Sequence, residues 1–158
     1  MSLTIGDAMV KNVITVESDY TVKHVAEIMN RYVIGCVIVM EEKKIVGIIT
    51  ERDILRKIIA VAKDPEKTFA REIMSTPVIV VGPKMPLEKA LELMFEHKIK
   101  KFPVMEHHPG KEKLLGLVTL TDIARLQPQL IKRLKQLFME KRETPPKNID
   151  KVMNYYIV

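Results

Sequence analysis

The 158-residue chain contains no tryptophan, a single cysteine and aromatic residues at only 5%. With Cys36 alone, an internal disulfide and a cysteine-held metal cluster are both excluded. No apolar run approaches the roughly 18 residues that a membrane-crossing helix needs. Met1 to Gly6 lack the basic-then-apolar layout of a secretory leader. These absences lead to the expectation of a soluble protein of the reducing cytoplasm, without membrane attachment. What is present is 47% hydrophobic and 29% charged residues, enough to fill a core and to solvate a surface, which excludes a disordered chain. Basic residues outnumber acidic ones by 26 to 20, so an anionic partner is worth seeking.

The chain repeats itself. At an offset of 65 residues Met9 falls on Met74, Val16 on Val81, Glu27 on Glu92, Met29 on Met94 and Ile34 on Ile99. A four-residue insertion near His107–Gly110 raises the offset to 69, and Gly47, Thr50, Asp53 and Ile54 then match Gly116, Thr119, Asp122 and Ile123. Each copy opens on a β-rich run, residues 13–16 and 78–81. A helix follows, with Val22, Val25, Ile28, Met29 and Tyr32 at helical spacing in copy one. In copy two, Pro86 stands where a first helical turn tolerates it. Two strand-length runs, Cys36 to Met40 and Ile45 to Thr50, flank the polar turn Glu41–Lys44 and predict a hairpin. A second helix is predicted over Arg52–Val61. The class is α/β (α+β), β-α-β-β-α twice, with domains at 4–62 and 69–126 and a linker at 63–68. Each half is small for a lone core, so the two are expected to pack together. Uncovered apolar helix positions such as Leu91, Met94 and Ile123 predict a homodimer.

Beyond Pro128 an amphipathic helix is predicted from the stripe Leu130, Leu134, Leu137 and Phe138. Residues 128–158 hold seven Lys/Arg against three Asp/Glu, so most of the net charge of +6 belongs to this tail.

The chemistry is concentrated in a repeated string, Gly-apolar-apolar-Thr-x-x-Asp, at Gly47–Asp53 and Gly116–Asp122. Thr-x-x-Asp at a strand-to-helix junction is close to a capping box. The same corner suits a nucleotide: an ionised Asp accepts both hydroxyls of a ribose, and backbone N–H groups at the helix start meet phosphate. Capping does not call for the preceding Gly, and recurrence in both copies favours a paired site. The other singletons read more plainly. Cys36 lies in an apolar strand as a small core residue. His107 and His108 lack a third ligand for a metal, His97 sits near a helix end, and His24 falls on a solvated face. The ten methionines read as adaptable filler.

These strings, with Asp7-Ala8-Met9 and Glu72-Ile73-Met74, Val13-Ile14-Thr15-Val16 and Lys100-Lys101-Phe102-Pro103-Val104-Met105, resemble a tandem pair of CBS domains over about residues 4–126. The resemblance implies two domains packed through their sheets about a pseudo-two-fold axis, leaving two clefts for adenosine-containing ligands: AMP, ADP, ATP, S-adenosylmethionine or relatives. It implies that Asp53 and Asp122 hold the ribose, and Thr50 and Thr119 the ribose or phosphate. The backbone at Asn12-Val13 and Pro77-Val78 would frame adenine, with Lys100, Lys101 and Arg52 facing phosphate. Copy one has Gly35-Cys36 where copy two has the lysine pair. Asp122 is therefore expected to matter more than Asp53.

The expected function is a regulatory ligand sensor, with no catalytic residue, no metal and no required cofactor. Binding would shift domain or dimer packing to signal to an effector protein. The alternative is a nucleic-acid-binding protein that works through the basic tail.

Overall fold

A computed structural model of the chain describes residues 2–140. The chain builds α1 (Ile5–Ala8), β1 (Thr15–Glu17), α2 (Val22–Tyr32), β2 (Cys36–Glu41) and β3 (Lys44–Thr50). It then builds α3 (Glu51–Ile54), α4 (Ala70–Ile73), α5 (Leu87–His97), β4 (Lys101–His108), β5 (Lys111–Thr119), α6 (Leu120–Leu126) and α7 (Pro128–Glu140). The α/β class and the repeated hairpins follow the sequence pattern. In the first hairpin β2 and β3 pair antiparallel from Cys36–Thr50 to Glu41–Lys44, with a bulge at Val39/Met40. The second pairs Lys101–Thr119 to His108–Lys111, with its bulge at Val104/Met105, the equivalent place. The four-residue insertion lengthens this second hairpin and turns it at Gly110, whose φ of 81° suits glycine.

Two departures concern regular structure. The run 78–81 forms no strand and is held by a parallel bridge between Val81 and Val104. Pro77 and Pro83 flank this run and lack the N–H groups a ladder would need. The helix expected over Arg52–Val61 is α-helical only to Ile54, then widens into a π-helical turn over Leu55–Ile59. Within this turn the Ala60 N–H donates to the Leu55 carbonyl at 2.9 Å.

Two hydrophobic cores form. The first gathers Val16, Val22, Val25, Met29, Val37, Val39, Ile49 and Ile58; the second gathers Val81, Leu87, Leu91, Met94, Phe102, Val104, Val118 and Ile123. Side chains alternate across a strand, so Ile38 faces away from its neighbours Val37 and Val39, yet all three are buried. Both faces of β2 are therefore covered, as two sheets laid against each other require.

Each half also lends a short helix to the other. Ile5, at the start of the chain, is fully buried in the second core, while Ala70 and Ile73 belong to the first. Backbone bonds secure the exchange: Gly6 N–H to Pro83 O at 2.8 Å, paired bonds between Val10 and Leu117, and Arg71 N–H to Ser18 O at 3.0 Å. The repeated glycines make room for it. A Cβ on Gly47 would lie 2.6 Å from Met74 Cγ, and one on Gly116 would lie 2.6 Å from the Val10 carbonyl oxygen. Packing of the exchanged segment thus accounts for the glycine that capping left unexplained.

The helix expected after Pro128 is present as α7, with Leu130 and Leu134 buried in the second core. The side chains of Leu137 and Phe138, and the rest of the basic tail, lie outside the described residues. One expectation is corrected. Leu91, Met94 and Ile123 are already covered within the chain, at 0–3% exposure, and the exposed large apolar positions among the described residues are Leu3, Val10, Tyr20, Tyr32, Val33, Leu55, Ile59, Val61 and Leu126. Among the described residues no helix is long and apolar enough to cross a membrane.

Candidate ligand clefts

Both Thr-x-x-Asp strings form the capping box. The Thr50 N–H donates to Asp53 Oδ2 at 2.9 Å and the Asp53 N–H donates to Thr50 Oγ1 at 3.3 Å. Thr119 and Asp122 repeat this at 2.9 and 3.2 Å. The box also recurs at Thr4–Asp7, on α1, so capping alone does not single out a binding site. Position does. Both boxes lie where a hairpin strand hands over to a helix, at the edge of the segment exchange.

The two carboxylates differ beyond the box. Asp53 Oδ1 accepts from Lys57 Nζ at 2.9 Å and from Ser75 Oγ at 3.1 Å. Lys57 Nζ also donates to the Ile73 carbonyl at 2.6 Å, tying the borrowed helix α4 to Asp53. Asp53 is 9% exposed. Its burial raises the carboxyl pKa, but the Thr50 N–H and the Lys57 ammonium together outweigh this and hold it below the ordinary value. Asp122 has only the donors of Thr119, both on Oδ2. Among the described residues its Oδ1 has no partner. The repeat explains the difference: Ser75 corresponds to Val10 and Lys57 to Leu126.

A cleft of about 850 Å³ opens beside Asp53, lined by Thr50, Glu51, Arg52, Arg56, Lys57, Ser75, Lys98, Lys100 and Lys101, among others. This corrects the expected pairing. Lys100 and Lys101 face Asp53 in the other half, not Asp122 in their own. Lys100 immediately precedes β4 and Lys101 opens it, and Lys101 approaches Cys36 at the start of β2. Burial raises the Cys36 thiol pKa, against the lowering effect of the Lys101 ammonium, and a protonated thiol is a poor nucleophile.

Of the other expected positions, Pro77 and Val78 follow Ser75 by two and three residues, on the segment that bridges to Ile48. Asn12 and Val13 follow Val10, which bridges to Leu117 on the strand leading to Asp122. Val13 also lines a separate depression of about 420 Å³ with Tyr20, His24 and Tyr32. Sequence reasoning missed Ser75, Arg56, Lys57 and Lys98. Lys57 was accessible as an i,i+4 partner of Asp53; Ser75 was not, because its contact spans 22 residues.

Comparison with known proteins agrees with this architecture. The CBS domain family model matches residues 5–60 and 70–128. An uncharacterised protein of Methanopyrus kandleri is 35% identical over 136 residues, 85% of this chain and 68% of that protein. A CBS domain-containing protein of Bacillus subtilis is 32% identical over 77% of this chain and 83% of its own length. Among solved structures, the CBS domain pair of protein MJ0100, in complex with 5′-methylthioadenosine and S-adenosyl-L-methionine, is 28% identical. It aligns with a TM-score of 0.69 over 80% of this chain and 96% of that one.

Proposed function

Because the chain belongs to the CBS-domain family, a family of regulatory ligand-binding modules, we propose that it senses adenosine-containing ligands in clefts beside Asp53 and Asp122. The observation that carries this reading is the carboxylate corner in each half, with Asp122 Oδ1 left without a partner among the described residues. Such an oxygen accepts a ribose hydroxyl without first losing a bond. The complex of protein MJ0100 with 5′-methylthioadenosine and S-adenosyl-L-methionine supports the same ligand class. Asn12, Val13, Pro77 and Val78 would frame the base, and Thr50, Thr119, Arg52, Lys100 and Lys101 would reach ribose or phosphate.

The module performs no chemistry of its own in this reading. A ligand bridging the two halves biases their packing by its differential affinity, typically about 1–3 kcal/mol of coupling. The signal passes to an effector protein in the cytoplasm through a homodimer. The exposed apolar set Tyr32, Val33, Leu55 and Ile59, with Val33 at 90% and Ile59 at 66%, supports such an assembly. Calorimetric titration with AMP, ATP, S-adenosylmethionine and 5′-methylthioadenosine tests the proposal, and binding by none of them overturns it. The nucleic-acid alternative rests on Lys132, Arg133 and Lys135, which are exposed on α7.

A further inference from the structure

The cleft beside Asp53 differs from its counterpart in charge as well as in hydrogen bonding. Six cationic side chains, Arg52, Arg56, Lys57, Lys98, Lys100 and Lys101, line it against two carboxylates, Glu51 and Asp53. Among the described residues no carboxylate lies in ion-pair range of Arg52, Arg56, Lys98 or Lys100. At the equivalent positions of the other half stand Thr121, Arg125, Leu126, Val33, Gly35 and Cys36, with Leu120 and Asp122 in place of the acids. The Asp53 cleft thus concentrates uncompensated positive charge, whereas the repeat-equivalent positions around Asp122 carry one cation, Arg125, and one anion, Asp122 itself. Converging unpaired cations in a concave site attract a polyanion, and each terminal phosphate carries roughly −1.5 to −2.

Asp53 itself is engaged. An entering ribose meets a carboxylate oxygen that already holds Lys57 and Ser75. The displaced ammonium keeps the Ile73 carbonyl at 2.6 Å and, with the side chain 41% exposed, water, but loses its anionic partner and the charge-assisted bond to it. A ligand with phosphates supplies that partner within the same cleft. A ligand without them does not.

We infer that Lys57 makes the Asp53 cleft specific for polyphosphate-bearing adenosyl ligands: its ammonium is exchanged at Asp53 for the ribose hydroxyls and goes to the phosphates, while the Asp122 cleft takes adenosyl compounds irrespective of phosphate. This specificity rests on the adenosyl-ligand reading above and adds to it a division of labour between the clefts.

The test is calorimetric titration of the full chain with ATP and with 5′-methylthioadenosine. Asp122→Asn restricts ribose binding to the Asp53 cleft, and this variant should bind ATP at least about tenfold more tightly than 5′-methylthioadenosine. Adding Lys57→Met should reduce that preference to about threefold or less, by weakening ATP and strengthening 5′-methylthioadenosine. Lys57→Met also removes the donor to Ile73, so a second set of changes guards against misfolding. Arg52→Gln with Lys100→Gln, both on exposed side chains, should weaken ATP about tenfold and leave 5′-methylthioadenosine unchanged. Equal affinities in Asp122→Asn, or an ATP preference untouched by either set, overturn the specificity and leave the adenosyl reading standing. If the unsubstituted chain binds neither compound, the adenosyl reading falls and this inference with it. Inorganic tripolyphosphate binding to Asp122→Asn as tightly as ATP also overturns the specificity, since a ribose at Asp53 would then contribute nothing.

Discussion

The two halves of this chain share a fold and differ in how much they have built on it. Asp53 of the first half sits in a network of Thr50, Lys57 and Ser75, among cations supplied by both halves. The second keeps Asp122 in the bare capping box but gains α7, whose Leu130 and Leu134 complete its core. A repeat therefore fixes geometry more firmly than it fixes chemistry. Glycine and the Thr-x-x-Asp corner are retained because backbone crossing and helix start demand them, whereas the side chains facing the clefts have diverged.

The sharpest way to break this comparison is at the added helix. Leu134→Ala should destabilise the chain by about 2–5 kcal/mol, the usual result of emptying a buried leucine site. No equivalent deletion exists in the first half, which has no helix in this place. Denaturant unfolding checks this, and a change below about 1 kcal/mol would mean that α7 is not part of the second core.

Next come the glycines. Gly116→Ala should cost more than Gly47→Ala, within the range of about 1–3 kcal/mol expected for overpacking. The added methyl meets the Val10 carbonyl in one case and the Met74 side chain in the other, and backbone yields less readily than methionine. Melting temperatures of the two variants give the order, and a reversed order would refute it.

The smallest effect is in acid. The lowered pKa of Asp53 means that its carboxylate adds stability above its unfolded value of about 3.9. That stability is lost as the pH falls through the still lower folded value. Asp53→Asn should therefore lose stability at neutral pH and show a flatter decline as the pH falls below about 4. Unfolding followed at several pH values checks this; parallel curves for the variant and the unsubstituted chain would show that ionisation of Asp53, with its bonds from Thr50 and Lys57, contributes nothing.

Much of the fold was legible because its signals are local. Alternating apolar runs around Glu41–Lys44 gave the first hairpin, and the 65-residue offset carried that assignment to the second. The CBS resemblance gave the family. The pairing of cleft residues was not legible, because it depends on which half each segment packs against. Lys100 and Lys101 sit in the second copy by sequence but face Asp53 by topology. Ser75 reaches Asp53 only because α4 is lent to the first core. The π-helical turn after Ile54 was likewise hidden, since its residues retain an ordinary helical pattern.

The reciprocal loan of α1 and α4 has a consequence for how the molecule opens. A half that unfolded alone would pull Ile5 or Ile73 from its neighbour's interior and leave a hole there. Independent melting of the halves is thus penalised on both sides, and the slowest-exchanging amides of both hairpins should share one opening free energy, that of the whole chain. A ligand that tightens either corner then protects amides in the opposite half, with no rearrangement of the fold.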